Sequence, residues 1–436
     1  MNAAADACFV GIDLGTSGCR VVAIDANADI CAEAREPLPP SRRSADGGSE
    51  QDPAAWWHAV TISLTRVIDE TRGAIKAICV DGTSSTLLLC DAAGEPCTPA
   101  LMYDDRRAAA EAAALSHIVP GDSAAQGPTS ALAKLLYLQR CPAAGHAAHA
   151  LHQADWIAAR LTGRYGFSDE NNSLKLGYDP VARCWPTWMA AAGALPRLLP
   201  QVLPVGRVIG NVSALIATSF GLPADTRVVS GTTDGNAAAL ASAISRPGEA
   251  VTSLGSTLVL KLISTSPVTA KEFGIYSHRL GDVWLTGGAS NSGGSVLRQY
   301  FTDEQLAQLS AQIDPLHDSG LDYYPLPTKG ERFPVADPDK APCLTPHPDD
   351  PARFLHGILE GIARIEAAGY RRLAELGAPY PTRVLSAGGG AVNDTWRRIR
   401  ERLLGVPVAR APHDEAAYGS ALLARKGLND AAIPPF

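Results

Sequence analysis

The sequence predicts an α/β protein with two domains of similar design. Its 436 residues are enough for two or three hydrophobic cores. Strand, helix and turn patterns alternate along the chain, as they do in α/β proteins. A strand, a turn rich in glycine and hydroxyl residues, and a second strand follow one another around 15–18 and again around 255–257. The recurrence indicates a weak internal repeat.

The first half opens with a predicted hairpin. Apolar runs at 8–13 and 20–25 predict strands, and the LGTSG segment between them predicts a turn. A dinucleotide-binding fold would place a helix after the first strand, so that fold is disfavoured. Apolar spacing predicts a helix at 53–71, and its first residue is a proline, which suits a first helical turn. The other elements predicted in this half are a loop at 41–52, strands at 74–80 and 87–91, a turn at 92–96, and helices at 106–117, 132–139 and 154–161.

The second half repeats the pattern. A strand at 227–231 ends in the polar tip 232–235, and an alanine-rich segment predicts a helix at 237–244. The second hairpin is predicted from strands at 249–254 and 258–264. A segment rich in proline and aspartate at about 326–351 predicts a long loop. The remaining elements are helices at 354–376, 393–404 and 415–424, and a strand at 383–386 that precedes three glycines.

Composition excludes several classes of function. The net charge is −7 and basic residues form no block, so neither nucleic acid nor a membrane is an expected partner. The nine cysteines form no CxxC pair and fit free thiols in a reducing compartment, so a cytoplasmic location is expected. Zinc-protease, nucleophile-elbow and P-loop motifs do not occur in the sequence. A phosphate-binding site would therefore have to use a backbone turn other than a P-loop.

Two acidic residues at predicted strand ends are candidates for chemistry. Asp13 precedes Gly15, Thr16 and Ser17, whose small side chains and turn amides suit an anion, and its carboxylate suits a hydrated Mg²⁺. Asp234 follows a strand and is a candidate general base for a hydroxyl group. The alternatives are an ordinary hairpin turn for the first segment and a helix cap for Asp234.

Two glycine-containing tips in the second half are candidates for nucleotide binding. The turn Gly255, Ser256 and Thr257 suits terminal phosphates, and the run Gly388, Gly389 and Gly390 gives a floor without side chains for a base or ribose. The alternatives are a plain turn and a flexible loop.

In this order, the motifs resemble the FGGY family of carbohydrate kinases, which shares the ribonuclease H-like fold of sugar kinases, Hsp70 and actin. The resemblance covers nearly the whole chain. It is carried by these segments: GIDLGTSGCRVVAID, TSALAKLLYLQR, ADWIAARLTG, SDENNSLKLGYDP, GTTDGNAAAL, EAVTSLGSTLVL, SAGGGAVNDTWRRIRERLLGVPV and EAAYGSALLA.

The resemblance implies two ribonuclease H-like domains with an active-site cleft between them. The first domain would span 8–241 plus about 415–436 and hold the sugar and the catalytic base, and the second would span 242–414 and hold adenosine. ATP and Mg²⁺ would be the cofactors, and a homodimer is left open. The implied sites are Asp234 as catalytic base; Asp13 for Mg²⁺, directly or through water; Ser84, Asp105, Arg107, Asp234 and Gly235 for the sugar; and Gly15, Thr16, Ser17, Gly255, Ser256, Thr257, Gly388, Gly389, Gly390, Asn393 and Trp396 for the nucleotide.

Within the family, the likeness is strongest to cyanobacterial and plant D-ribulose kinases, through segments such as VDGTSSTLLLCD. The expected reaction is phosphorylation of the terminal hydroxyl of D-ribulose. D-Xylulose is the close alternative, and a non-catalytic sugar sensor or ATPase of the same fold is the alternative from another class. Many family members carry Trp-x-Asp-x-Arg in the sugar site, and here Tyr103 replaces the tryptophan while Asp105 and Arg107 match.

Overall fold

The computed structural model describes residues 7–72 and 74–430. They form two compact units, and each is treated by itself. The first unit contains 7–241, 278–281 and 415–430, apart from residue 73. The second contains Ser242–Ser277 and Asp282–Asp414. Within the described ranges, no helix is both long enough and apolar enough to cross a bilayer.

The strands are β1 (Cys8–Leu14), β2 (Gly18–Ile24), β3 (Ile30–Pro37), β4 (Arg42–Arg43), β5 (Ser49–Gln51), β6 (Ile75–Gly82), β7 (Leu87–Cys90), β8 (Ala100–Leu101), β9 (His149–His152), β10 (Phe167–Asp169), β11 (Gln201–Leu203), β12 (Val208–Asn211), β13 (Arg227–Thr233), β14 (Glu249–Leu254), β15 (Leu258–Ser264), β16 (His278–Leu280), β17 (Val283–Ser290), β18 (Arg383–Ala387) and β19 (Val408–Arg410). The α-helices are α1 (Pro53–Glu70), α2 (Ala109–Leu115), α3 (Ala131–Gln139), α4 (Gln153–Thr162), α5 (Trp188–Ala191), α6 (Ala214–Phe220), α7 (Asp234–Ala241), α8 (Gly294–Tyr300), α9 (Asp303–Ser310), α10 (Pro351–Glu375), α11 (Asp394–Leu404) and α12 (Ala416–Asp430).

The first unit is built on a six-stranded sheet in the order β12-β13-β6-β1-β2-β3. The three central strands β13, β6 and β1 are parallel, whereas β2 and β3 run antiparallel to their neighbours. Helix α12 lies directly on this sheet. A Cβ on Gly11 of β1 would lie 1.9 Å from the Ala417 carbonyl oxygen, and a Cβ on Gly419 would lie 1.9 Å from the Ala237 carbonyl oxygen of α7. Glycine is therefore required at both contacts.

The second unit repeats the same strand pattern. Its strands β17, β15, β14, β18 and β19 are neighbours in that order, with β14, β18 and β19 parallel and β15 antiparallel to both of its neighbours. The order β3-β2-β1-β6-β13 in the first unit has the same directions. The predicted internal repeat is confirmed. The long helix α10 begins at Pro351 after the N-cap Asp350 and buries an apolar stripe in the core.

Several predicted boundaries are wrong. The helix predicted at 106–117 begins only at Ala109, because residues 105–107 form a turn in which the Arg107 amide donates to Asp105 Oδ1. The helix predicted at 237–244 spans Asp234–Ala241, and the following segment takes a positive φ of 61° at Ala243. The loop predicted at 41–52 contains the short strands β4 and β5. The C-terminal end of the first predicted domain, 431–436, lies outside the described residues.

Candidate active site

The candidate site of the first unit lies where three parallel strands end. Asp13 of β1 pairs in register with Asp81 of β6, and Thr233 of β13 pairs with Gly82 of β6. Because parallel strands present their carboxyl ends at one edge, the residues that follow them meet there. The arrangement brings Asp13, the turn that contains Ser84, and Asp234 to the same edge of the sheet.

Asp13 combines burial with an unsatisfied oxygen. Its Oδ1 is buried and accepts no hydrogen bond from a backbone, hydroxyl or amide group of the described residues. The pKa of Asp13 is raised to about 6, mainly by burial and in smaller part by the charge of Asp234, while hydrogen bonding to Asp81 and the charge of Arg20 oppose the rise. A carboxylate in this state is suited to a cation.

Asp81 is a second buried carboxyl group, and the sequence analysis did not select it. The side chain is fully buried, and Ser420 Oγ of α12 donates a hydrogen bond to its Oδ2. Burial raises the pKa of Asp81 well above its usual range, and the charge of Asp13 adds to the effect. The sequence carried a usable signal, since a lone carboxylate ends an apolar strand here just as Asp13 ends β1.

The turn between β1 and β2 is a tight glycine turn held from outside. The Gly15 amide donates to the Gly18 carbonyl at 3.0 Å. Gln51 Nε2 donates to the Thr16 carbonyl at 2.8 Å, and Ser17 is exposed at the tip. Gln51 is thus a second residue that the sequence analysis missed, and it fixes the candidate phosphate-binding turn.

Asp234 is the first residue of α7 and is half-buried. Its Oδ1 accepts the Gly235 amide at 2.6 Å. The strand tip before it is held by two amides from the segment after β10: Asn171 Nδ2 donates to Thr232 Oγ1 at 2.9 Å, and Asn172 Nδ2 donates to the Thr232 carbonyl at 3.2 Å. These contacts fix the position of the backbone just before Asp234. The role of Asp234 as a base stays a prediction.

Ser84 is half-buried in the turn between β6 and β7. The Thr86 amide donates to the Thr83 carbonyl across this turn, and Ser85 has a φ of 67°, a region that side chains other than glycine rarely adopt. The Thr83 hydroxyl donates to Gln153 Oε1 at 2.9 Å. The turn is therefore held in one conformation by its neighbours.

Asp105 and Arg107 bind each other. Asp105 is fully buried and accepts the Ser49 amide at 2.8 Å and Arg107 Nη2 at 2.7 Å. Arg107 Nη1 also pairs with Glu50 Oε1 at 2.7 Å, and its guanidinium lies 5.6 Å from the centre of the Tyr137 ring. These contacts account for a supporting role of the pair, and a direct contact with sugar stays a prediction.

In the second unit, the turn Gly255, Ser256 and Thr257 between β14 and β15 is held by the start of α8. The Gly294 amide donates to the Gly255 carbonyl at 2.8 Å, and the Ser295 amide donates to the Ser256 carbonyl at 3.0 Å. Arg298 Nη2 donates to Ser256 Oγ at 2.7 Å. Arg298 was not selected from the sequence, and it brings a positive charge to the turn predicted to bind phosphates.

A cavity of about 820 Å³ adjoins this turn, and its volume suits a nucleotide. The lining residues that matter here are Ser256, Arg298, Gly389, Gly390, Asn393 and Trp396. A Cβ on Gly389 would meet no atom within 4 Å, whereas one on Gly390 would lie 2.7 Å from the Trp396 ring. Gly389 thus faces open space, and Gly390 is needed for packing.

Asn393 and Trp396 line the cavity, and Gly388 directly precedes the two lining glycines. Gly388 has a φ of 77°, and its amide donates to Asp414 Oδ2 at 2.8 Å. Asn393 Oδ1 accepts the Trp396 amide at 2.9 Å and so caps α11. Trp396 is only 2% exposed and donates through Nε1 to the Leu359 carbonyl at 3.1 Å. The tryptophan is therefore a buried support of the wall, and its contact with adenosine stays a prediction.

Two sequence models of the FGGY family of carbohydrate kinases match the chain, one for the N-terminal domain over residues 8–241 and one for the C-terminal domain over residues 250–427. The chain belongs to the FGGY family of carbohydrate kinases. As an FGGY kinase it is a phosphotransferase with an alcohol group as acceptor, and kinases of this family use ATP with Mg²⁺. The C-terminal match runs into α12, although that helix packs within the first unit.

Relatives of this FGGY kinase cover nearly its whole length. The xylulose kinase of Escherichia coli strain K12 is 27% identical over 90% of this chain and 84% of that protein. The xylulose kinase of Streptomyces coelicolor is 28% identical over 94% of this chain and 85% of that protein. A solved structure described as a xyloylose kinase from Brucella ovis superposes with a TM-score of 0.86 at 26% identity, covering 97% of this chain and 91% of that one. These relatives are named for xylulose rather than for the D-ribulose expected from the sequence.

Proposed function

We propose that this FGGY kinase transfers the γ-phosphate of ATP to the terminal hydroxyl of a ketopentose. The observation that carries the proposal is the placement of Asp13 and Asp234 at the carboxyl edge of one parallel core. They are close enough for the charge of Asp234 to raise the pKa of Asp13. Phosphoryl transfer needs positioning and charge neutralisation more than covalent help from the protein, and two carboxylates with separate tasks meet that need.

D-Xylulose is the first candidate substrate, because relatives that span the chain are named xylulose kinase. D-Ribulose is the second. It is favoured by the likeness of the VDGTSSTLLLCD segment to D-ribulose kinases. Tyr103, which is 44% exposed, stands where many family members have tryptophan, so the sugar pocket differs from theirs at this position. The two sugars differ at one stereocentre, so a few hydrogen bonds near Ser84 and Tyr103 would decide between them.

Asp234 is the proposed base for the sugar hydroxyl. It is half-buried, and the contacts of Thr232 fix the backbone just before it. A sugar hydroxyl would therefore meet the carboxylate from a defined side. Ser84 and Gly235 would lie beside the same hydroxyl, and the Asp105–Arg107 pair would support the pocket from behind.

Asp13 is the proposed Mg²⁺ residue, and its surroundings fit that ion. Its buried Oδ1 accepts no hydrogen bond from a backbone, hydroxyl or amide group among residues 7–72 and 74–430, and Mg²⁺ usually binds one or two carboxylates together with waters and phosphates. Within the described ranges, no group of three or more potential metal-ligating side chains occurs, so protein would supply only part of the ligand set. The bound ion supplies charge neutralisation at the phosphate oxygens. The amides of Gly15, Thr16 and Ser17 would orient the same phosphate.

The cavity of the second unit is the proposed nucleotide site. Gly389 leaves space for the adenosine moiety, and Gly255, Ser256 and Thr257 would face the β- and γ-phosphates. Arg298 lies 2.7 Å from the Ser256 hydroxyl and would add a positive charge beside those phosphates.

The test is a coupled ADP-release assay with ATP and Mg²⁺, in which D-xylulose, D-ribulose, L-ribulose, xylitol, ribitol and glycerol are compared at equal concentration. We expect D-xylulose or D-ribulose to give the highest kcat/KM, with a pentulose phosphate confirmed by mass. ADP release without any phosphosugar would favour the ATPase or sensor alternative. A cytoplasmic location and a homodimer stay predictions. The nine cysteines, all free thiols, support the first of them.

A further inference from the structure

Lys134 of α3 places an amino group where a positive charge is costly. The side chain is fully buried, and its Nζ donates to two backbone carbonyls, that of Ser85 at 2.9 Å and that of Met102 at 2.7 Å. Neither acceptor is a carboxylate, and no carboxylate in the described part of the chain forms an ion pair with this nitrogen. Burial accordingly lowers the pKa of Lys134 to about 7, with Lys175 adding to the effect and Asp105 and Asp104 opposing it.

The two carbonyls belong to the two segments that border the candidate sugar site. Ser85 directly follows Ser84 in the turn after β6 and has the strained φ of 67°. Met102 directly precedes Tyr103, and its carbonyl also accepts the Asp105 amide at 3.0 Å. One ammonium group therefore joins the Ser84 turn to the turn that runs from Met102 to Asp105.

Burial of a lysine that donates to carbonyl groups costs desolvation free energy. Methionine would occupy nearly the same volume without that cost. What the lysine adds is a nitrogen with at least two N–H donors, which bind backbone oxygens on separate loops. A clamp of this kind sets the distance between Ser84 and Tyr103, and a small displacement there would alter hydrogen bonds to a sugar.

We propose that Lys134 is a positioning residue of the sugar site, which clamps the Ser84 turn to the Tyr103 turn and thereby sets sugar affinity and discrimination between pentuloses. The inference rests on the proposed function, because the sugar is the ligand that these turns would meet. Lys134 acts through the two turns and is not assigned a contact with substrate.

The test compares Lys134→Met with wild type, and Leu135→Ala serves as the matched control. Leu135 is the next residue of α3, is fully buried and belongs to the apolar cluster that holds this helix, so its truncation loosens the helix without removing the clamp. In Lys134→Met we expect the sugar KM to rise at least about tenfold, and the ratio of kcat/KM for D-xylulose and D-ribulose to change. The dissociation constant of ATP should stay within about twofold. A merely structural role would instead lower the active fraction, and so kcat, with the sugar KM unchanged.

A second measurement does not depend on activity. Hydrogen exchange of the Thr86 and Asp105 amides, which close the two turns, should be faster in Lys134→Met than in wild type and unchanged in Leu135→Ala. If Lys134→Met does not fold, Lys134→Gln, which keeps a shorter donor, replaces it in both assays. Unchanged exchange, a sugar KM within twofold of wild type, or an equal KM rise in Leu135→Ala would overturn the inference. Failure of the wild type to phosphorylate any pentulose would instead refute the proposed function. Hydrogen exchange would still test whether Lys134 holds the two turns together.

Discussion

The buried ion pair of Arg400 and Glu366 gives the sharpest prediction for the second unit. Arg400 of α11 is 1% exposed and Glu366 of α10 is fully buried. Arg400 Nε donates to Glu366 Oε2 at 2.6 Å, and Nη2 donates to Oε1 at 2.8 Å. Thr252 of β14 donates to the same carboxylate, and Arg400 Nη1 donates to Ser386 of β18. The pair thus links the two strands that lead to the turns proposed to bind the nucleotide.

Replacing Arg400 with methionine would leave the Glu366 carboxylate buried without its counter-ion. Removal of one partner from a buried pair costs about 3–5 kcal/mol, because the remaining charge is uncompensated. For a unit of this size, 1 kcal/mol lowers the melting temperature by about 2–4 °C, so we expect a decrease of about 6–20 °C. The double replacement of Arg400 and Glu366 by methionine should recover at least half of that loss, because no charge then remains buried.

Differential scanning calorimetry measures these shifts, and titration calorimetry measures ATP binding. Because β14 and β18 carry the turns of the cavity, the single variant should also weaken ATP binding by about tenfold or more, which is about 1.4 kcal/mol. Lys329→Met is the control, since Lys329 pairs with Asp339 on the surface with 62% and 79% of the two side chains exposed, and it should shift the melting temperature by less than about 4 °C. A single-variant shift as small as the control's, or a double variant as unstable as the sum of the two single ones, would refute the reasoning.

Three further predictions address the site. Asp234→Asn should lower kcat by about 10²–10⁴-fold while the dissociation constant of ATP is unchanged, because only the proposed base is removed, and near-normal turnover would contradict that role. Gly389→Val should raise the KM for ATP without loss of stability, since its side chain would enter the open cavity, whereas Gly121→Val, also in open space, should change neither. Equal ATP KM values for the two would place the nucleotide elsewhere. Between pH 8 and pH 9.5, the unfolding free energy of the wild type should rise by about 2 kcal/mol relative to Lys134→Met, as measured by denaturant titration. Burial holds the folded-state pKa of Lys134 near 7, so in this range the unfolded chain binds the additional proton, and equal pH dependence would contradict it.

The sequence predicted those parts of the fold that depend on local patterns. The hairpin around Gly15 and the hairpin around Gly255 each combine apolar strands with a glycine turn, and both form as predicted. The early end of the alanine-rich helix could not be predicted, because a positive φ at Ala243 has no local signal in an alanine. The late start of α2 depends on the contact between the Arg107 amide and the Asp105 carboxylate, which competes with helical hydrogen bonding.

Candidate site residues could be predicted where a single polar residue ends a strand. They could not be predicted where their neighbours depend on strand register or on the packing of a helix. Asp13 and Asp234 were selected because each follows a strand and precedes a glycine-containing segment. Asp81 also ends an apolar strand, but only the register shows that it lies beside Asp13, and only the position of α3 shows that the Lys134 amino group lies between two turns. The roles predicted for Asp105 and Trp396 rest on family resemblance, while the structure shows the supporting contacts that each of them makes.

The central claim is that this FGGY kinase phosphorylates a ketopentose at the edge defined by Asp13 and Asp234. The most direct measurement incubates the wild type with ATP, Mg²⁺ and either D-xylulose or D-ribulose, and quantifies ADP and sugar phosphate by mass in the same sample. We predict one pentulose phosphate for each ADP, with a clear preference for one of the two sugars and with almost no product in Asp234→Asn. ADP formed without a sugar phosphate, or equal product from Asp234→Asn, would contradict the account.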